Sequence, residues 1–246
     1  AASHACWDDL RNRIGPKHRV HTVQMRGFAG AKPPTARPAG GYLKAMADEL
    51  AGYIRQSGRA PIAVCGHSMG GIVALIMTRD HPDVVDRLMV VDVPSFFSVL
   101  INPFATEATF SAFAEATRRS YMDRAPEDLE DDLRRTARRL VTDPVALERV
   151  IEWGIDSDQA LTADVMAEVM TTDLRPDMSS IDRPTDVLYA WDRGAPTTRV
   201  GLDQLYGSAY SNLADCQRIR IDDARHYIML DQPEAFHQSV RDWLAR

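Results

Sequence analysis

The sequence predicts an α/β fold, a mainly parallel sheet flanked by helices, with a helical segment inserted between two of its strands. Three observations predict it. Residues 61–65, 87–93 and 186–191 are short, β-branched apolar runs of the kind that form strands buried on both faces. Gly66-His67-Ser68-Met69-Gly70, with a further glycine at Gly71, joins the first run to the apolar stretch 72–77, giving the order strand, tight turn, helix. Between the second and third runs, from Pro94 to Arg183, helical spacing replaces strand patterning.

Taken in order, residues 19–25 alternate as a strand does and run into the loop that begins Arg26-Gly27-Phe28-Ala29-Gly30. Leu43, Met46, Ala47, Leu50 and Ile54 then recur on one helical face. The glycine-flanked turn and its helix follow, ending near His81-Pro82, and residues 87–93 form the next strand. Alternating strands and helices imply right-handed crossovers and a parallel sheet.

In the inserted stretch, Pro126 suits the first turn of a helix with the apolar stripe Leu129, Leu133, Ala137 and Leu140. Acidic residues from Glu127 to Asp132 crowd its start and arginines from Arg134 to Arg139 its end, which complements the helix dipole. This charge run reads as a solvated face, not a binding site. Asp143-Pro144 opens a further helix closed by Gly154, and Leu161, Val165 and Val169 mark another. The sheet resumes at 186–191, followed by a helix over about 200–213, a strand at 217–221 and a polar loop from Asp222 to Tyr227. A last helix turns Phe236, Val240, Trp243 and Leu244 inward. The expected division is a core of residues 1–94 and 184–246 and a helical cap of residues 95–183.

With 246 residues the chain can bury one substantial core. Its apolar and charged fractions, 45% and 26%, are those of an ordinary soluble globule. A net charge of −6 with scattered arginines excludes a nucleic-acid partner. Cys6, Cys65 and Cys216 have neither metal-like nor disulfide-like spacing, and Cys65 reads as a small core residue. No run could span a membrane and no leader peptide is visible; the cytoplasm is the default expectation, an export signal upstream of Ala1 the other. No metal or organic cofactor is implied.

Gly-x-Ser-x-Gly at a strand-to-helix turn is the pattern of a nucleophile elbow. The serine there takes a strained backbone conformation that exposes its hydroxyl, and a Cβ at Gly66 or Gly70 is expected to collide with the neighbouring strand or helix. On these residues the chain resembles the α/β-hydrolase superfamily, the capped serine esterases in particular, over nearly its whole length. Such families enter through a strand ending in a His-Gly turn, whose loop supplies one oxyanion-hole amide. This chain opens at Ala1-Ala2-Ser3-His4-Ala5-Cys6-Trp7, which resembles the stretch just after that turn, so an N-terminally incomplete form is expected.

A serine hydroxyl is nearly inert at neutral pH until a base takes its proton, and histidine is the usual base. The superfamily's chain order is serine, acid, histidine. His226, in the loop after the last strand, has the right place, and residues 226–233 resemble the segment that follows the catalytic histidine in capped esterases. His67 is expected to support the turn, His81 and His237 to be structural, while His4, His18 and His21 precede the elbow. For the acid, Asp192 ends the strand at 187–191, where the family places it, and Arg193-Gly194 supplies a turn. Asp92, at the end of the preceding strand, is its rival; Asp222 and Asp223 shape the histidine loop. One oxyanion donor is the backbone N–H of Met69 at a helix start, the other a loop amide at or just before Ala1.

Aromatic residues of the insertion are candidates to line the pocket, foremost Phe96, Phe97 and Trp153. The expected function is a serine hydrolase that cleaves carboxylic esters of small to medium apolar acyl chains through an acyl-enzyme, its partner a small-molecule ester. Carbon–carbon hydrolases, thioesterases and haloperoxidases share the same triad, and a ligand-binding member without turnover is the alternative of another class. Serine at the elbow argues against epoxide hydrolases and haloalkane dehalogenases, which place aspartate there.

Overall fold

A computed structural model describes residues 2–246. Helices α1 (Asp8–Ile14) and α2 (Tyr42–Gln56) precede strand β1 (Ile62–His67), and α3 (Met69–Asp80) carries the chain to β2 (Val85–Val91). Four helices follow: α4 (Glu107–Met122), α5 (Pro126–Leu140), α6 (Pro144–Ile155) and α7 (Gln159–Thr171). Then come β3 (Thr185–Trp191), α8 (Arg199–Ala209), β4 (Cys216–Asp222), the single turn α9 (Ile228–Asp231) and α10 (Pro233–Ala245). The described strands form one parallel sheet in the order β1-β2-β3-β4.

The inner strands β2 and β3 are covered on both faces, which is why they read as apolar over most of their length, whereas β4 carries Gln217, Arg218 and Arg220. Side chains alternate along each strand. Leu88 and Val90 of β2 and Val187 and Tyr189 of β3 join α2, α3 and α8 on one side. Met89, Val91, Leu188 and Ile221 join Phe236, Val240 and Trp243 of α10 on the other. Helix α3 is buried from Gly71 to Thr78, so it is apolar on every side rather than amphipathic.

The helical insertion does not pack as a separate body. Leu161, Val165 and Val169 of α7 belong to the same cluster as α2 and α3, while Ala137, Ala146, Val150 and Trp153 of α5 and α6 belong to the α10 side. Only Phe96, Val99, Ala105 and Phe110 form a cluster of the insertion's own. Helix α5 starts at Pro126 with Glu127 and Asp128 in its first turn and ends with Arg138 and Arg139, its charged side facing solvent. Helix α6 is capped by Asp143, whose carboxylate accepts from Ala146 N at 2.7 Å.

Two local expectations are corrected. Residues 19–25 are not a strand; alternation marks two faces but a strand exists only through a ladder, and none of the described strands pairs with this segment. Gly154 does not close α6, which runs to Ile155. A Cβ there would lie 2.8 Å from Leu133 Cδ2, so this glycine lets α5 and α6 approach closely.

Candidate active site

Strands β1 and β2 end side by side. His67 pairs with Val91, so Ser68 and Asp92 leave the sheet at the same level. Both enter the left-handed region, each with φ 54°, a conformation that costs a side-chain-bearing residue of order 1–3 kcal/mol. Ser68 N donates to Val91 O (2.9 Å), and the Ser68 carbonyl accepts from Gly71 N (2.7 Å) and Ile72 N (3.2 Å), which fixes the turn into α3. A Cβ on Gly66 would lie 2.2 Å from Gly70 O, so that position admits only glycine. At Gly70 nothing lies within 4 Å, whereas a Cβ on Gly71 would meet Val93 Cγ1 at 2.8 Å. The second crowded glycine is therefore Gly71, because position 71 is the one turned toward Val90 of β2 and Val93.

Met69 opens α3, so its N–H belongs to the first-turn amides that have no intrahelical carbonyl to bind. That leaves it available to a developing negative charge, with the helix dipole behind it. The second oxyanion donor expected at Ala1 lies outside the described residues.

His226 sits in the loop between β4 and α9, beside the turn. Its ring lies 4.5 Å from that of His67, centroid to centroid, and His67 Nε2 donates to the His226 carbonyl at 2.8 Å. Burial, followed by the nearby His226 ring, holds the His67 imidazole well below the ordinary histidine range. A neutral His67 protonated on Nε2 thus ties the elbow to the His226 loop, as expected of a supporting residue.

The acid is where the sequence expectation and the geometry part. His226 Nδ1 stands 2.7 Å from Asp92 Oδ2, not against Asp192. The other Asp92 oxygen accepts from Ala190 N at 2.8 Å. Asp192 accepts from Gly194 N (2.7 Å) and from Arg225 Nε (2.5 Å). Register explains the exchange. Val91 pairs with Leu188, so Asp92 is level with Tyr189, and Asp192 comes three residues later, about 10 Å further along at the usual strand rise. Only Asp92 shares the level of Ser68.

An ionised carboxylate can only accept, so the Asp92 contact fixes the proton on Nδ1 and leaves the Nε2 lone pair on the opposite ring edge. Side-chain exposures of 22% for His226 and 15% for Asp92 leave the imidazole reachable and its carboxylate sheltered. Buried Tyr206 faces Asp92; burial, then that carboxylate, pushes its phenol well above the ordinary range, so it stays a neutral donor.

Among the insertion's aromatics, Phe96 has no exposed surface and lies under the Arg175 guanidinium (4.8 Å to the ring centroid), which removes it from a pocket wall. Phe97 begins a 3-10 turn shortly after Asp92 and is partly exposed. Trp153 is largely buried, 6.3 Å from the ring of Tyr227. His81 pairs with Asp48 and His237 with Asp9, away from the elbow. Asp222 binds Arg220, and the Asp223 carbonyl accepts from Gln232, so both shape the loop as expected. Arg225 and Asp231, which flank the imidazole, had no sequence signal beyond their nearness to His226.

Two surface hollows of about 500 and 320 Å³ are lined by Arg11 with residues 15–20 and by α4 with Arg124 and Asp132. Neither includes Ser68, Asp92 or His226, so the site is located by its chemistry and not by the size of an opening. Among the described residues no group of three or more His, Cys, Asp or Glu could hold a metal ion, and no helix is long and apolar enough to cross a membrane.

Residues 1–239 match the model of a family described as the alpha/beta hydrolase family. Over 75 residues, 30% of this chain and 23% of the relative, the chain is 43% identical to an sn-1-specific diacylglycerol lipase of Mus musculus. It is 28% identical over 245 residues, 93% of this chain and 88% of the relative, to a pimeloyl-[acyl-carrier protein] methyl ester esterase of Aromatoleum aromaticum. Its fold is that of a thermophilic esterase from Thermogutta terrifontis, with a TM-score of 0.78 at 21% identity over 99% of this chain and 85% of the other.

Proposed function

The chain belongs to the alpha/beta hydrolase family and is a hydrolase, and we propose that it cleaves carboxylic esters of small to medium apolar acyl chains through an acyl-enzyme on Ser68. The observation that carries this reading is the 2.7 Å contact between His226 Nδ1 and Asp92 Oδ2 beside an elbow serine. His226 Nε2 takes the Ser68 proton as Oγ attacks the ester carbonyl, and Asp92 stabilises the imidazolium that forms. The Met69 N–H binds the oxyanion. Collapse of the intermediate breaks the acyl–oxygen bond, and Nε2 returns the proton to the departing alcohol. Water, deprotonated by the same nitrogen, then attacks the acyl carbon and frees the acid and Ser68.

Residues 95–183 serve as the cap in this reading. Phe97 and Trp153, both between Asp92 and His226 in the chain, are its contributions to the acyl pocket. Relatives whose names include methyl ester esterase and diacylglycerol lipase support an ester as the substrate class.

Hydrolysis of a p-nitrophenyl ester series, acetate through decanoate, tests this. Ser68→Ala and His226→Ala are each expected to lose about 10⁴–10⁶ in turnover. Wild-type turnover in Ser68→Ala would overturn the mechanism.

A further inference from the structure

The loop that carries His226 is fastened on both sides to the end of one helix of the insertion. Ahead of the imidazole, the Arg225 guanidinium donates from Nη1 to the carbonyls of Arg138 (2.5 Å) and Val141 (3.4 Å), and from Nε to Asp192 (2.5 Å). Behind it, Tyr227 N donates to Leu140 O at 3.0 Å. Asp231 closes the arrangement. One of its oxygens accepts from Arg225 N (2.8 Å), and the other from Thr142 N (2.7 Å), Thr142 Oγ1 (2.8 Å) and Asp143 N (3.4 Å).

The chemistry of these partners suits a fixed seat. The last carbonyls of a helix have no intrahelical donor and carry its negative dipole end, so an arginine satisfies them and is held by them. Arg225 presents several donors in one plane, which lets it grip α5 and Asp192 together. Asp231 does the same from the acceptor side, binding the loop with one oxygen and residues 142–143 with the other.

We propose that Arg225 and Asp231 are positioning residues: with Asp192 as anchor, they strap the His226 loop to the α5–α6 junction, so the alignment of the imidazole is set by the seat of the insertion. Neither side chain is assigned contact with substrate. Asp192 thereby has a role other than the acid expected of it, the anchor of this strap. A misplacement of about 1 Å at a reacting group costs about 10² in rate, and loosening the strap is expected to cost that much at Ser68.

The proposal rests on Ser68 and His226 being the nucleophile and base, and the experiment separates the two claims. A fluorophosphonate labels an activated serine without depending on the natural ester, so its labelling rate is measured in wild type, Ser68→Ala, Asp231→Ala, Asp231→Asn and Arg225→Lys. Glu168→Ala is the control. Glu168, on α7, caps α2 through Tyr42 N and Leu43 N (3.0 Å each), linking insertion to core without touching the His226 loop. Thermal unfolding shows which variants are folded.

Wild type labelled at Ser68, a loss of about 10² in Asp231→Ala, a smaller loss in Asp231→Asn and Arg225→Lys, and a near wild-type rate in Glu168→Ala are expected. The kcat of the variants should fall while KM holds. No labelling of wild type would refute the functional reading itself. Labelling of wild type with an unchanged rate in folded Asp231→Asn and Arg225→Lys would overturn the strap. An equal loss in Glu168→Ala would overturn it too, by reducing it to general stability.

Discussion

Asp92→Asn and Asp192→Asn, compared side by side, separate the two aspartates that the sequence alone leaves in competition. Asparagine at 92 keeps the shape of the site, and its oxygen can still accept from Ala190 N, which the aspartate does at 2.8 Å. Its amide NH₂ then faces His226 Nδ1. A donor at that place requires an acceptor, so the ring proton moves to Nε2 and the proposed base loses the lone pair it needs for the Ser68 proton. A wrong tautomer of this kind costs about 10⁴ in kcat, about 5.4 kcal/mol at 1.36 kcal/mol per tenfold. Asparagine at 192 removes only the charge that holds Arg225, and a loss of no more than about 10² is expected, through displacement of the loop. The assay is kcat on the best p-nitrophenyl ester, with circular dichroism to confirm folding. A larger loss for Asp192→Asn than for Asp92→Asn would refute the register argument that sets Asp92 beside Ser68.

Two further predictions concern stability. Gly66→Ala should fold poorly, since its Cβ would lie 2.2 Å from a backbone oxygen; Gly71→Ala, whose Cβ would displace the Val93 side chain at 2.8 Å, should lose less, while Gly70→Ala has open space and should gain up to about 1 kcal/mol as a helical residue; thermal midpoints of the three decide this. His67 and His237 are both held below the ordinary histidine pKa by burial. Below about pH 6.5 the unfolded chain therefore binds more protons than the folded one, so stability is full above that pH and falls as pH drops beneath it. Urea midpoints that stay level from about pH 7 to 5 would contradict this, because carboxylates titrate mostly below that range.

Much of the fold was legible because burial on both faces leaves a mark that needs no partner to be read. The runs at 61–65, 87–93 and 186–191 are such marks, and they fall in the strands Ile62–His67, Val85–Val91 and Thr185–Trp191; the glycine-flanked serine lies between β1 and α3. The alternating segment at 19–25 misled because alternation says which faces a chain has and not whether another strand lies beside it. Ser68 and His226 were singled out by chemistry and chain order, and the structure sets the His226 ring 4.5 Å from that of His67, the residue before Ser68. Asp92 was ranked below Asp192 because the resemblance places the acid at the later strand's end; both end a strand, and the difference between them is a register offset between β2 and β3 that no local pattern encodes. Gly70 was expected to be the crowded position because the motif names it and not Gly71, and only the helix's rotation against Val90 and Val93 decides between them. Phe96 looked like a pocket wall because an aromatic residue in an insertion carries no sign of which way it turns. Arg225 and Asp231 lay outside any motif, since most of their partners in the insertion are carbonyls and amides of residues 138–143, backbone atoms that sequence does not distinguish.

The central claim, covalent catalysis on Ser68, is tested most directly by trapping the acyl-enzyme. The wild-type chain is mixed with a slowly deacylated p-nitrophenyl ester, quenched in acid, digested and mapped by mass spectrometry. A burst of p-nitrophenol is expected, matched in amount by an acyl group on the peptide containing Ser68 and absent from Ser68→Ala. Turnover with no adduct, or with the acyl group on another residue, would contradict it.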